Sequence, residues 1–169
     1  MLDRAKAKLS ITFPFSGLLK GKVPMESFKE AMLKGLAAAK VSLDNLKEID
    51  ILLRDFSSTV AENSQSAAEV HIEDTELMDK IHIPFDKQGS WQRTIFLAEP
   101  AKPDSSEREQ YKIAFLSTTE NGYPCTLTYR SQSQQALDAV SLSGLLSELL
   151  QAPSTGRIIL HFMGKKARG

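Results

Sequence analysis

Asn121-Gly122 separates two runs of alternating residues, Tyr111–Thr119 and Tyr123–Arg130. Both central positions of a type I′ turn need positive φ, and these two residues adopt it at least cost. The pair therefore predicts an antiparallel hairpin. In the register it implies, Thr119 faces Pro124 as a non-hydrogen-bonded pair, so the missing N–H of Pro124 points away from its partner. That suits an edge strand.

Other strands are expected on the same grounds. Lys8–Phe15 alternates Ile11, Phe13 and Phe15 with polar residues and precedes a loop over 17–23. Ala68–Ile72 and Lys80–Phe85 also alternate and read as a second hairpin, and Trp91–Ala98 reads as a further strand. Glu48–Ser57 is apolar on both sides (Ile49, Ile51 and Leu53 against Leu52 and Phe56), which predicts an interior strand. Arg157–Met163, with Ile158-Ile159-Leu160, reads as a final buried strand. Glu99–Gln110, with two prolines and two serines, reads as a mobile surface loop.

Two helices are expected. Pro24 opens the first, which runs to about Lys40 with a stripe of Met25, Phe28, Met32, Leu36 and Ala39. The second covers about Ser133 to Gln151, with a break near Ser143-Gly144. The order predicts an α+β fold: a mixed, mainly antiparallel sheet with two helices. Two split βαβ units with extra hairpin strands would make it ferredoxin-like.

The 169 residues are 41% hydrophobic and 25% charged, which suits one globular domain over residues 1–169 and excludes a disordered or fibrous chain. Residues 164–169 form a basic tail whose composition permits disorder. The single cysteine, Cys125, rules out an intramolecular disulfide and suits a reducing compartment. No apolar run is long enough for a membrane span, and no signal-like segment follows Met1. A cytoplasmic location without membrane contact is expected.

Charges cancel overall but not locally. Residues 1–40 hold eight basic and three acidic groups, 41–110 seven against 15, and 111–169 six against three. The basic ends, with Lys20, Lys22, Lys165, Lys166 and Arg168, allow an anionic partner such as nucleic acid, although the acidic middle would repel phosphate.

Each chemical motif is incomplete. Ser16–Val23 lies where a phosphate loop would sit, but it lacks the first glycine and the hydroxyl after the lysine. In the second expected hairpin His71 would face His82, with Glu69 and Glu73 on the same face, a set that could ligate a divalent ion. An amphipathic strand pair shows the same polar face without metal. Cys125 shares a strand face with Tyr123, Leu127 and Tyr129 and reads as a buried small residue, and His161 reads as a packed core histidine. The acidic run Glu69–Asp79 lacks calcium-loop spacing. The helical Leu142–Leu150 repeats match a groove-binding pattern but equally a core-facing stripe.

Ile113-Ala114-Phe115, Asn121-Gly122-Tyr123-Pro124 and the elements after them are loosely similar to the C-terminal part of macro domains. Ser117-Thr118-Thr119 stands where that loop carries Ser-Thr-Gly, and no Asn-Ala-Ala-Asn stretch occurs. A hairpin accounts for the same residues, so no family is claimed.

Without a complete catalytic set, the residues point to a non-catalytic adaptor or complex subunit with no cofactor. Its partner, another protein or a second copy, would be met at the edge strand through Tyr123, Pro124, Tyr129 and Arg130. A nucleic-acid module using the basic ends, or a metal-dependent enzyme at the histidine pair, are the alternatives.

Overall fold

A computed structural model describes residues 25–75, 92–101 and 108–168. The expected strands Lys8–Phe15 and Lys80–Phe85, the loop 17–23, Trp91, and residues 102–107 of the Glu99–Gln110 loop lie outside them. Packing divides the chain into Met1–Gly35 and Leu36–Gly169. In the first unit the described residues are the opening turns of α1, where Phe28, Met32 and Leu33 are exposed.

Helix α1 spans Met25–Asn63. The expected strand Glu48–Ser57 is part of it. Over ten residues the apolar positions read as a two-sided strand, but continued to Val60 they follow helical spacing. Ile49, Leu53, Phe56 and Val60 are buried while Ile51 is half exposed. The helix stops where Gln65 and Ser66 take positive φ (53° and 58°). There the Ser64 hydroxyl accepts from the Ala68 N–H, and Lys166 Nζ donates to the Gln65 carbonyl, setting a cation against the carbonyl end of the helix.

Strands β1 (Glu69–Thr75), β2 (Gln92–Ala98), β3 (Gln110–Thr119), β4 (Gly122–Tyr129) and β5 (Gln132–Ala136) follow. They form one antiparallel sheet in the order β1-β2-β3-β4-β5, each neighbour in space being the neighbour in sequence. The fold is thus α+β with an antiparallel sheet. The ferredoxin-like arrangement is corrected: these strands have no crossover, and the strand that would have closed the second βαβ unit is a helix. The first half of the expected Ser133–Gln151 helix is corrected too. Gln132–Ala136 pairs with β4 from Tyr129↔Gln132 to Cys125↔Ala136. Consequently β4 is an interior strand and β5 takes the edge. Pro124 lies one residue before the β4 stretch that pairs with β5, so its missing N–H costs no ladder bond.

Helix α2 (Ala139–Gln151) starts at a reciprocal cap. The Asp138 carboxylate accepts from the Ser141 N–H at 2.8 Å, and the Ser141 hydroxyl accepts from the Asp138 N–H at 3.1 Å. The Ser141 N–H, and then its hydroxyl, donate to the Asp138 carboxylate and hold it below its ordinary pKa. Leu142, Leu145, Leu146 and Leu149 are buried, and no break occurs at Ser143-Gly144.

Helix α3 (Pro153–Lys166) replaces the expected last strand, making three helices rather than two among the described residues. Pro153 opens it at a position that needs no N–H. Thr155 and Phe162 are buried, Ile158, Ile159 and Met163 pack beside them, and Leu160 is exposed. That spacing of three and four is a helical stripe, hidden by the apolar run inside it. The tail residues Lys165 and Lys166 belong to α3.

One sheet face carries the core. Ile95, Leu116, Cys125, Leu127 and Ala136 meet Ile49, Leu53 and Phe56 of α1 and the α2 leucines. Leu97, Val60 and Phe162 form a second cluster that seats α3. Arg93 on β2 bridges Asp50 of α1 (2.6 Å) and Asp74 of β1 (3.1 Å). No described helix is long and apolar enough to cross a membrane.

The β4–β5 turn offers a direct test. Arg130 and Ser131 have φ of 50° and 62°, which non-glycine residues adopt at a cost. Ser131→Gly is expected to raise the unfolding free energy by about 0.5–1 kcal/mol, measured in denaturant. A loss of stability would contradict the turn geometry.

Candidate interaction surface

The two-residue loop Arg130–Ser131 fixes the hydrogen-bonding phase of β5. Tyr129↔Gln132 is the pair that closes the hairpin, so Gln132, Gln134 and Ala136 direct their backbone groups at β4. Ser133 and Gln135 direct theirs the other way. Among the described residues nothing pairs with that edge. It lacks the usual protections: Gln132–Ala136 contains no charge and no proline, and its pairing with β4 shows no bulge.

The surroundings are apolar and accessible. Gln132, Ser133 and Gln135 are exposed. Leu137 and Val140, just beyond the strand, are 69% and 82% exposed. The hairpin is anchored from behind: Tyr129 Oη donates to Glu148 of α2 at 3.3 Å, and Arg130 Nε to Ser154 of α3 at 3.1 Å. Of the four residues expected to meet a partner, Tyr129 and Arg130 lie in this hairpin and Pro124 is exposed near its far end. Tyr123 instead packs against the core, its hydroxyl buried without a hydrogen-bond partner and its pKa pushed up to about 12 by that burial.

A second polar cluster is larger but chemically settled. Glu109 accepts from the Tyr111 hydroxyl (2.5 Å), contacts His161 Nε2 (3.0 Å) and accepts from Lys165 Nζ (3.1 Å), which also reaches Glu99 (2.9 Å). These hydrogen bonds, Tyr111 first, lower the Glu109 pKa to about 2. The Lys165 pKa is raised by Glu99 and Glu109, and that of Tyr111 by Glu109. Every resolved shift moves away from neutrality, whereas general acid–base work favours groups that titrate near it. The cluster ties α3 to the β2–β3 end of the sheet. His161, expected in the core, is about half exposed here because α3 turns it off the Phe162 face.

Glu109 contributes stability only while its folded pKa lies below its unfolded value. The gap in unfolding midpoint between the wild type and Glu109→Gln should therefore be open above pH 4.5 and close as the pH falls toward 2. A gap unchanged across that window would exclude the hydrogen-bonded carboxylate.

The remaining candidates disperse. His71 lies opposite Phe96 of β2 and contacts Glu73 at 3.2 Å, Glu69 begins the same strand, and His82 lies outside the described residues. Among the described residues no group of three histidine, cysteine or acidic side chains could hold a metal. Lys20 and Lys22 also lie outside. Lys165 is committed to two carboxylates, Lys166 to the Gln65 carbonyl, and Arg168 to the Gly164 carbonyl. Cys125 is fully buried, and desolvation pushes its thiol up to about 11, which disfavours the nucleophilic thiolate.

Strand β5 is not legible in the sequence because Gln132-Ser-Gln-Gln-Ala136 has no apolar alternation and sits directly before a leucine-rich helix. Its two turn residues are a weak signal, since neither is glycine, asparagine or aspartate. Among the described residues, the class defined by fold and surface is an antiparallel five-stranded meander with three helices and an open β5 edge. No known protein family, curated protein or solved structure matches the chain.

Proposed function

We propose that this chain is a non-catalytic binding or assembly protein that acts through protein–protein contacts at the β5 edge. The observation that carries the reading is that uncharged edge, with its outward backbone groups on Ser133 and Gln135 beside exposed Leu137 and Val140. A strand of that kind gains hydrogen bonds from an added strand and burial from the two side chains next to it. Exposed Leu36, Val41 and Leu43 on α1 give further apolar surface in the Leu36–Gly169 unit.

The test uses one substitution that spares the intramolecular ladder. The Gln135 N–H points away from β4, so Gln135→Pro removes an outward donor only. In extract from the cells that make the protein, the wild type should run well above the 18.7 kDa of one chain on a native column. Gln135→Pro should return it to that mass. A wild type that already runs as a lone chain in extract would refute the binding role at this edge.

A further inference from the structure

We infer that the strand added to β5 is the β5 of a second copy, paired antiparallel about Gln134; this rests on the binding role above and names its partner. Register favours a second copy of the same strand. Pairing about Gln134 sets Ser133 opposite Gln135 of the second copy, and Gln135 opposite its Ser133. All outward groups of both residues are then used, giving four interchain backbone hydrogen bonds.

Neighbouring registers do worse. Centring on Ser133 would pair Gln135 with Ser131, which is held in left-handed turn geometry at φ 62°. Centring on Gln135 would pair Ser133 with Leu137, whose N–H already donates to the Ser141 hydroxyl at 3.0 Å. Only the Gln134 register joins extended residues with free groups on both sides.

Charge agrees with that choice. Gln132–Ala136 holds no charged residue, so no like charges meet between the two ends of the seam. Gln134 meets its own copy at the centre, where two amides can hydrogen-bond to each other. Exposed Leu137 and Val140 stand at the same ends and lose water when the copies join. The product fuses two five-stranded sheets into one of ten strands and removes both β5 edges.

Sedimentation equilibrium on the purified full chain should give twice 18.7 kDa for the wild type. Gln135→Pro should sediment as a single chain with an unchanged circular dichroism spectrum. Should that variant fail to fold, Gln135→Lys serves in its place, since a lysine on the exposed outer face repels its counterpart without touching the β4 ladder. Register is read by oxidation. Gln134→Cys, on the two-fold axis, should form a covalent dimer, whereas Gln132→Cys should not. Native Cys125 does not compete, being fully buried.

A purified wild type that stays a single chain throughout the concentration range overturns self-pairing. So does a dimer unaffected by Gln135→Pro and Gln135→Lys, and cross-linking through Gln132→Cys but not Gln134→Cys overturns the register. A purified monomer that still forms an edge-dependent larger species in cell extract would sink the second copy as partner, while leaving the binding role intact.

Discussion

Phe162→Ala is expected to lower the unfolding free energy by about 3–5 kcal/mol, while Leu160→Ala changes it by about 0.5 kcal/mol or less. The contrast discriminates between the two readings of this segment. In a strand, positions 160 and 162 share a face, so both truncations would be costly. In α3 the residues are 200° apart at about 100° per residue. Phe162 is 1% exposed in the cluster with Val60 and Leu97, whereas Leu160 is 67% exposed. Removing the phenyl ring forfeits its transfer free energy and leaves a cavity between α3, α1 and β2, while Leu160 leaves one surface for another. Equilibrium denaturation of the two variants checks this. Similar losses at both positions would exclude the helix.

Gly122→Ala is the second large effect, with an expected loss of about 2–4 kcal/mol. Gly122 follows the two turn residues Glu120 and Asn121 and has φ of 80°, the only positive φ at that turn. The ladder shifts there, from Thr118↔Cys125 to Thr119↔Gly122, so that Tyr123 and Pro124 fall outside the paired register beside the left-handed glycine. A methyl group at Gly122 would also stand 2.8 Å from Asn45 Cβ and 3.3 Å from the Asn45 and Leu46 backbone. Those atoms cannot withdraw freely, since Asn45 Nδ2 donates to the Asn121 carbonyl at 2.9 Å and the Ser42 hydroxyl to the Glu120 carbonyl. The backbone penalty and the clash therefore act together. Gly144→Ala is the control: it lies inside α2 with nothing within 4 Å of the added carbon, so a gain of about 0.5–1 kcal/mol is expected. Denaturant midpoints of both variants decide the matter. Equal effects would mean that α1 does not press on the turn.

The hairpin shows how far local chemistry reaches. Asn121-Gly122 correctly marked the reversal and its two strands, and from Leu116↔Leu127 to Thr118↔Cys125 the pairing follows the expected register. The turn itself differs: a register shift beside one left-handed glycine replaces the mirror-image turn with two positive φ values. Asn121-Gly122 satisfies either, and the choice follows from α1, whose Ser42 and Asn45 bind the turn carbonyls. Pro124 of β4 costs no ladder bond because β5 ends before reaching it, not because β4 is an edge strand.

The candidate edge was partly legible. Tyr129 and Arg130 are expected contact residues at an edge strand, whereas β5 lies beyond that strand. The true edge, Gln132–Ala136, has one buried residue, Ala136, and so carries no apolar pattern. Its strand character comes from β4, already folded beside it, rather than from its own residues.

Local residue chemistry was enough to establish what needs only neighbours in sequence: the reversal at Asn121-Gly122, the alternating strands β1 to β4, the leucine stripe of α2 and the burial of Cys125. Tertiary structure decided the state of the apolar runs Glu48–Ser57 and Arg157–Met163. Each is apolar enough to be a strand or a helix, and the state adopted is the one whose buried stripe matches the surface opposite. Joining α1 into one helix lays Ile49, Leu53 and Phe56 along a sheet that its own residues cannot specify. With α3 in place of a sixth strand, the described sheet stops at β5, where among the described residues nothing pairs with its outer edge.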